Sequence, residues 1–385
     1  MKSIVIITIT IGIVVIGLIV GLTFLFGRTG KTGAPTGAGT ALSLGRAGTD
    51  GGVFVSEDAG VSWKQRVKFS AKATLGGIDV NDIVFHPTDK TKIFLASTEN
   101  SLFISTSGSA DWVRAVDEKG VLTQDTTVHQ LVFDPKEPKY MYLAVARGEV
   151  GRVLRSEDEG KSFKEVYQTP KAKSAVYAIS LDPDVAERIY IGTAEGGLFV
   201  SQNRGDSWSV VKWFPSPVRR IYIHPQDANF MYLTFLGKDL PKIQRSYDHG
   251  VTWEELKVSP PKKQRLTGIY TLTFHPTDAN VLYLATSAGV FKTPDAGATW
   301  QEFPLIIPPS LLPVFVVAVD PKNPENIYVA ATSQIYKSKD GGVSWEVHKV
   351  PTAKNVRVLV FSPDSPEHEQ GESASSGVLW AGLRK

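Results

Sequence analysis

One short phrase, Ser/Thr-x-Asp-x-Gly-x-Ser/Thr-Trp, recurs seven times between Ser56 and Trp345 at intervals of about 45 to 51 residues. The copies at Ser56–Trp63, Ser246–Trp253, Thr293–Trp300 and Ser338–Trp345 are complete. The copy at Ser156 places Phe163 where the Trp would stand, and the copy at Ser201 replaces the Asp with Asn203. The copy at Ser105 keeps only its ends, Ser105 and Trp112. A period of this size marks a repeat architecture, in which each unit buries its apolar face only against its neighbours.

A second series keeps step with the first. His86-Pro87, Asp134-Pro135, Asp182-Pro183, His224-Pro225, His275-Pro276, Asp320-Pro321 and Ser362-Pro363 each end an alternating apolar run such as Ile83-Val84-Phe85 or Leu131-Val132-Phe133. A second short run follows (Tyr283-Leu284-Ala285-Thr286), then a third (Gly289-Val290-Phe291-Lys292), the Asp phrase, and a fourth beginning at the Trp. Short β-branched and aromatic runs cut by Pro, Gly and Asp turns read as strands. Four strands in each of seven repeats predict an all-β fold, a seven-bladed β-propeller of antiparallel blades. The last repeat supplies only two strands, around Val356–Phe361 and Val378–Ala381, whereas the first phrase, at Gly52–Gln65, has no two strands before it. Joined, they make one mixed N-/C-terminal blade that closes the ring and leaves no open sheet edge between blades.

The phrase resembles the Asp-box (BNR) repeat, and the resemblance covers about residues 50 to 385. Its chemistry reads as structural. An Asp with a Gly two residues later favours a tight turn, the Ser or Thr ties down a nearby amide, and the Trp fills the blade with its N–H near the wet rim. Asp58, Asp158, Asp248, Asp295 and Asp340, with Trp63, Phe163, Trp208, Trp253, Trp300 and Trp345, are read in that role rather than as catalytic groups. The acidic clusters Glu57-Asp58 and Glu157-Asp158-Glu159 lack the alternating ligand positions of a calcium loop, so neither a metal nor a cofactor is expected.

Composition agrees with one large globular unit: the 385 residues are 42% hydrophobic and 10% aromatic, with a net charge of +3. The absence of cysteine removes disulfides, thiolate catalysis, Cys-based zinc sites and a lipid-bearing Cys. Residues 4–26 carry no charge over a length that spans a bilayer. Phe24-Leu25-Phe26-Gly27-Arg28 makes a poor cleavage site, which favours an uncleaved anchor over a signal peptide. Lys2 and the amino terminus on one side nearly balance Arg28 and Lys31 on the other. The short leading tail and bulky following domain favour a single-pass cell-membrane protein with an extracytoplasmic propeller. The expected organisation is a tail at 1–3, an anchor at 4–26, a Gly/Thr/Pro tether at 27–45 and the propeller at 46–385. The acidic stretch 364–376 reads as a solvated loop.

A ligand is expected on the face that bears the blade-to-blade loops, opposite the Asp phrases. Basic residues gather in those loops: Lys171 and Lys173; Lys212, Arg219 and Arg220; Lys257, Lys262, Lys263 and Arg265; Lys349, Lys354 and Arg357. A positive rim on a nearly neutral protein suits an anionic partner, weighed against ordinary solvated lysines. Two apolar loops share that face, Trp213-Phe214-Pro215 and the run from Pro304 to Pro313 that holds Ile306 and Leu311. Either they meet a partner or they plug the channel and cover a blade edge. Nucleic acid is not expected, because no base-stacking pattern interleaves the cations.

Asp-box propellers include sialidases and xyloglucanases. The segment Val84-Phe85-His86-Pro87-Thr88-Asp89 resembles the xyloglucanase group, whose catalytic Asp residues face a cleft between two propellers. The stretches matching those positions, Ala96-Ser97-Thr98-Glu99, Gly192-Thr193-Ala194-Glu195 and Ala285-Thr286-Ser287, carry no Asp. Asp79, Asp82, Glu99 and Glu195 are the remaining acids near the central face, and glycoside cleavage needs two carboxylates across the bond. In blade count and basic face the chain is more similar to the photosystem II stability/assembly factor-like group, single propellers that bind a membrane-protein partner. It also resembles the sortilin (Vps10) propeller, which has more blades and a Cys-rich companion. The expectation is a non-catalytic scaffold whose partner is a membrane or surface protein with an acidic patch, or an anionic glycan. The alternative is a glycoside hydrolase or glycan-binding protein acting on surface polysaccharide.

Overall fold

In the computed structural model the described residues are 50–70, 73–108, 111–237, 242–260, 265–305, 307–363 and 377–385, all within one compact unit, Ser43–Lys385. The expected tail, anchor and tether lie outside them, as does the acidic loop 364–376. Among the described residues no helix is long and apolar enough to cross a membrane.

Seven four-stranded antiparallel sheets account for the repeats. Blade 1 comprises Val80–Phe85, Ile93–Ser97, Leu102–Ser105 and Val113–Arg114, from channel to rim. Blade 2 begins at Thr127–Phe133, blade 3 at Val176–Leu181, blade 4 at Val218–His224, blade 5 at Ile269–Phe274 and blade 6 at Val314–Val319. Blade 7 is the mixed one: Asn355–Phe361 and Leu379–Arg384 supply its inner half, Val53–Ser56 and Lys64–Gln65 its outer half. Its seam runs in register from Val53 opposite Gly382 to Ser56 opposite Leu379. A small two-stranded sheet, Lys68–Ser70 with Ala73–Thr74, is added to the seven.

The core lies between blades. Phe94 and Ala96 of blade 1 pack with Leu131, Met141 and Leu143 of blade 2, and each further junction repeats this arrangement with its own residues. The ring closes the same way, with Val53 and Trp380 of blade 7 clustered with Val80 and Leu95 of blade 1. Burying both faces of every blade explains why the second strands read as continuous apolar runs, such as Ile327–Ala331.

Both turn series have a hydrogen-bond reason. At the end of the inner strands, Asp134 Oδ1 accepts from the amides of Lys136 and Glu137, and Asp182 does the same for Asp184 and Val185. His86 Nδ1 accepts from Asp89 N at 3.0 Å, and His275 Nδ1 from Asp278 N at 3.2 Å. A neutral histidine therefore substitutes for aspartate as the turn's acceptor, and burial lowers the pKa of His86, His224 and His275, which favours that neutral form.

In the Asp phrases, Asp158 accepts from Ser162 N, Ser162 Oγ and Ser156 Oγ at 2.7–2.8 Å, and Ser156 Oγ accepts from Gly160 N. Asp58, Asp248, Asp295 and Asp340 hold the same set of bonds. These bonds keep the carboxyls of Asp248, Asp295 and Asp340 near a pKa of about 2. The phrase Gly sits at positive φ, 97° at Gly342, where a Cβ would also lie 2.3 Å from the Phe303 ring. The indole N–H of Trp63 and Trp253 donates to the carbonyl of its own phrase glycine, whereas Trp208 donates to Val166.

Candidate functional site

All seven innermost strands carry a β-bulge near their start. The residue skipped by the pairing is Asn81, His129, Tyr177, Arg219, Tyr270, Phe315 or Arg357, one per blade. A bulge re-aims a side chain away from the normal in-out alternation. Here all seven re-aimed side chains line one cavity of about 420 Å³ in the channel, together with Val80, Arg220, Leu236, Thr271, Arg384 and Lys385. The bulges lie at the strand ends opposite the Asp phrases, so the mouth opens on the face of the blade-to-blade loops.

Four arginines converge on this cavity, and among the described residues that line it none is Asp or Glu. The Arg357 guanidinium stacks 3.6 Å above the Phe315 ring and 5.8 Å from Tyr270. Arg219 approaches the same Tyr270 ring at 5.7 Å, and Tyr270 meets Phe315 edge-on at 5.1 Å. An Arg219–Tyr270–Phe315–Arg357 series thus forms one wall, with each cation held against a ring face. Opposite it, His129 and Tyr177 meet edge-on at 5.3 Å. Arg384 Nη1 donates to Asn81 Oδ1 at 3.2 Å, and Asn81 is itself fixed by donating to Val128 O.

Crowded positive charge marks the electrostatics. Desolvation, then Arg220, holds Arg219 below the usual guanidinium range. Desolvation also lowers Arg357 against the opposing pull of Tyr270, with Arg384 and Arg219 adding to the lowering and Asp79 opposing it. His129 is depressed to about 4 by burial, reinforced by Arg220 and Arg384, so it is neutral at physiological pH. Asp82 sits behind the lining, where burial raises its pKa against the opposing pull of Arg220, and its Oδ2 accepts from Leu131 N across the blade junction.

The other expected residues spread out. Lys171 and Lys173 are exposed in one blade-to-blade connection, Lys257 and Arg265 in another, and Lys349 at the end of a strand; Lys173 lies 3.8 Å from Glu149. Lys262, Lys263 and Ile306 fall outside the described residues. Trp213 is 55% exposed, but Phe214 is only 5% exposed, packed on Phe235 and Trp253, and is not free to meet a partner. Leu305, Ile307 and Leu312 pack on the core of blades 5 and 6, so that loop covers a blade edge, with Leu311 half-buried beside it. Glu99 and Glu195 are exposed, and neither lines the cavity. Among the described residues no group of three or more His, Asp or Glu could hold a metal ion.

Sequence reading singled out Arg219, Arg220 and Arg357 for their charge and missed Asn81, His129, Tyr177, Tyr270, Phe315 and Arg384. A signal existed: each bulge residue stands five positions before the turn residue, from Asn81 and His86 through to Arg357 and Ser362.

The family model for "Sortilin, neurotensin receptor 3" matches residues 151–239 and 241–355, just over half of the chain. The chain belongs to the sortilin–Vps10 family. This sortilin–Vps10 propeller is 26% identical to xyloglucanase Xgh74A of Acetivibrio thermocellus over 243 residues, 60% of the chain and 26% of the enzyme. It is 36% identical to the vacuolar protein sorting/targeting protein 10 of Colletotrichum graminicola over 89 residues, 22% of the chain and 5% of that protein. The chain thus spans about a quarter of the length of the xyloglucanases it matches. Among solved structures, the GH74 xyloglucanase of Xanthomonas campestris superposes with a TM-score of 0.61 at 16% identity, covering 83% of this chain and 55% of that one. YCF48 bound to D1 peptide superposes with a TM-score of 0.58 at 15% identity, covering 80% and 94%. YCF48 from Cyanidioschyzon merolae gives 0.57 at 15%, covering 79% and 95%. These likenesses establish the shared fold.

Proposed function

We propose that the propeller is a non-catalytic binding scaffold that takes an acidic segment of a protein partner at the arginine-lined mouth of its channel. One observation carries the reading: four guanidiniums converge on a cavity with no Asp or Glu among its described lining residues. Asp82 and Asp79 act on Arg220 and Arg357 from outside the lining, and desolvated cations with so few counter-charges are costly unless a ligand supplies more. The match in fold and extent to YCF48, solved with a bound D1 peptide, supports a peptide occupant. The reading extends to a membrane or surface protein as partner, with the propeller held outside the cell membrane by residues 4–26.

The competing reading is glycan binding or hydrolysis, favoured by the sequence match to the xyloglucanases. A two-carboxylate mechanism needs acids across the scissile bond, and this cavity presents arginines and aromatics instead. Affinity capture from solubilised membranes, with the wild type beside Arg219→Glu/Arg357→Glu, separates the two. Loss of one specific acidic partner in the variant is the expected result. A partner held equally by both, or turnover of xyloglucan by the wild type, would overturn the proposal.

A further inference from the structure

We infer that the channel mouth is built for a phosphomonoester group on a side chain of the protein partner, rather than for a lone carboxylate. This rests on the binding reading above and narrows it to one ligand chemistry. Arginines elsewhere in the propeller hold carboxylates: Arg155, Arg188, Arg204 and Arg245 each form an ion pair at 2.5–3.0 Å. Among the described residues, no such pair involves Arg219, Arg220, Arg357 or Arg384. The Arg357 Nε–H is buried without a hydrogen-bond partner, as are Arg155 Nε and Arg204 Nη1, but of the three only Arg357 lines this cavity. A buried unsatisfied donor calls for a ligand or an ordered water.

Charge and direction both select the anion. Arg219 and Arg220 come from the inner strand of blade 4, Arg357 and Arg384 from the two inner strands of blade 7, so the cations enter from two blades. A carboxylate is planar and carries a single charge on two oxygens, little to set against four guanidiniums that enter from two directions. A phosphomonoester carries about −1.5 to −2 near neutral pH and spreads three acceptor oxygens tetrahedrally. It offsets more of the charge and accepts from both blades at once. Stacking on Phe315 and Tyr270 pre-organises Arg357 and Arg219 while leaving their in-plane N–H groups available. The remaining wall, Tyr177, His129 and Leu236, gives the organic part of the ligand an apolar surface.

Calorimetry on the intact protein at low salt tests this with four probes: N-acetyl-phosphoserine amide, N-acetyl-glutamate amide, inorganic phosphate, and vesicles containing phosphatidic acid. The phosphoserine probe should bind at least about tenfold tighter than the glutamate probe. Arg384→Gln, at an exposed position, and Arg219→Gln should each narrow that ratio, with near-ultraviolet circular dichroism reporting retained packing. Equal affinities, or tighter glutamate binding, would overturn the phosphoryl preference while leaving an acidic protein partner in place. Binding of inorganic phosphate or of the vesicles, but not of the phosphoserine probe, would overturn assignment to a protein side chain. If no probe binds and partner capture ignores the arginine reversals, both this inference and the binding reading fail.

Discussion

Asp158 shows how residue chemistry divides the molecule into a supporting face and a binding face. Its carboxylate accepts three hydrogen bonds within its own turn. Asp158→Ala should cost about 1–2 kcal/mol, read as a lower urea midpoint, with anion binding at the far face unchanged. His129 makes the opposite case. Its folded pKa of about 4 lies below the usual histidine value of about 6.5. The unfolded chain therefore binds more protons between those values, so this stability is fully present above about pH 6.5 and is lost as pH falls towards 4. His129→Gln should flatten that part of the stability–pH curve by roughly 2 kcal/mol, measured by urea unfolding at pH 4.5 and 7 beside the wild type. What sequence reading found at this scale were charges, Arg219 and Arg357; what it missed were Tyr270, Phe315 and His129. An aromatic in an alternating strand reads as core, and only the bulge turns it to the channel.

At the scale of elements, strands, turns and the mixed blade were legible because each is written locally. Proline and the phrase glycine punctuate the repeats, and the two half-blades at the ends predict the seam that pairs Val53 with Gly382. The site was less legible because it joins residues about 45 positions apart from seven strands, and a period-two reading assigns bulged residues to the wrong face. The fixed offset of five between bulge residue and turn residue was the available clue. Two substitutions test the elements themselves. Val55→Pro removes ladder bonding in the strand that joins the two ends, and should cost about 3 kcal/mol or more, seen as a sharp drop in Tm. Gly342→Ala forces a Cβ onto the Phe303 ring at a φ of 97° and should destabilise by about 1–3 kcal/mol, read in the same way.

Over the whole molecule, ring closure and charge placement are the two organising facts. Seven inter-blade cores hold the inner strands in place, and that scaffold lets side chains from blades 4 and 7 meet in one cavity. A net charge of only +3 means that the mouth is positive by placement rather than by composition. Attraction of an anion from solvent towards this mouth is screened by salt over about 8–10 Å. The most direct measurement is therefore the Kd of a fluorescent Glu-rich peptide by anisotropy across a range of NaCl concentrations. It would compare the wild type with Arg219→Gln/Arg357→Gln. Binding that weakens steeply with salt in the wild type, and is weakened about a hundredfold in the variant at low salt, is the predicted result. Binding indifferent to both salt and the two arginines would contradict the channel mouth as the binding site.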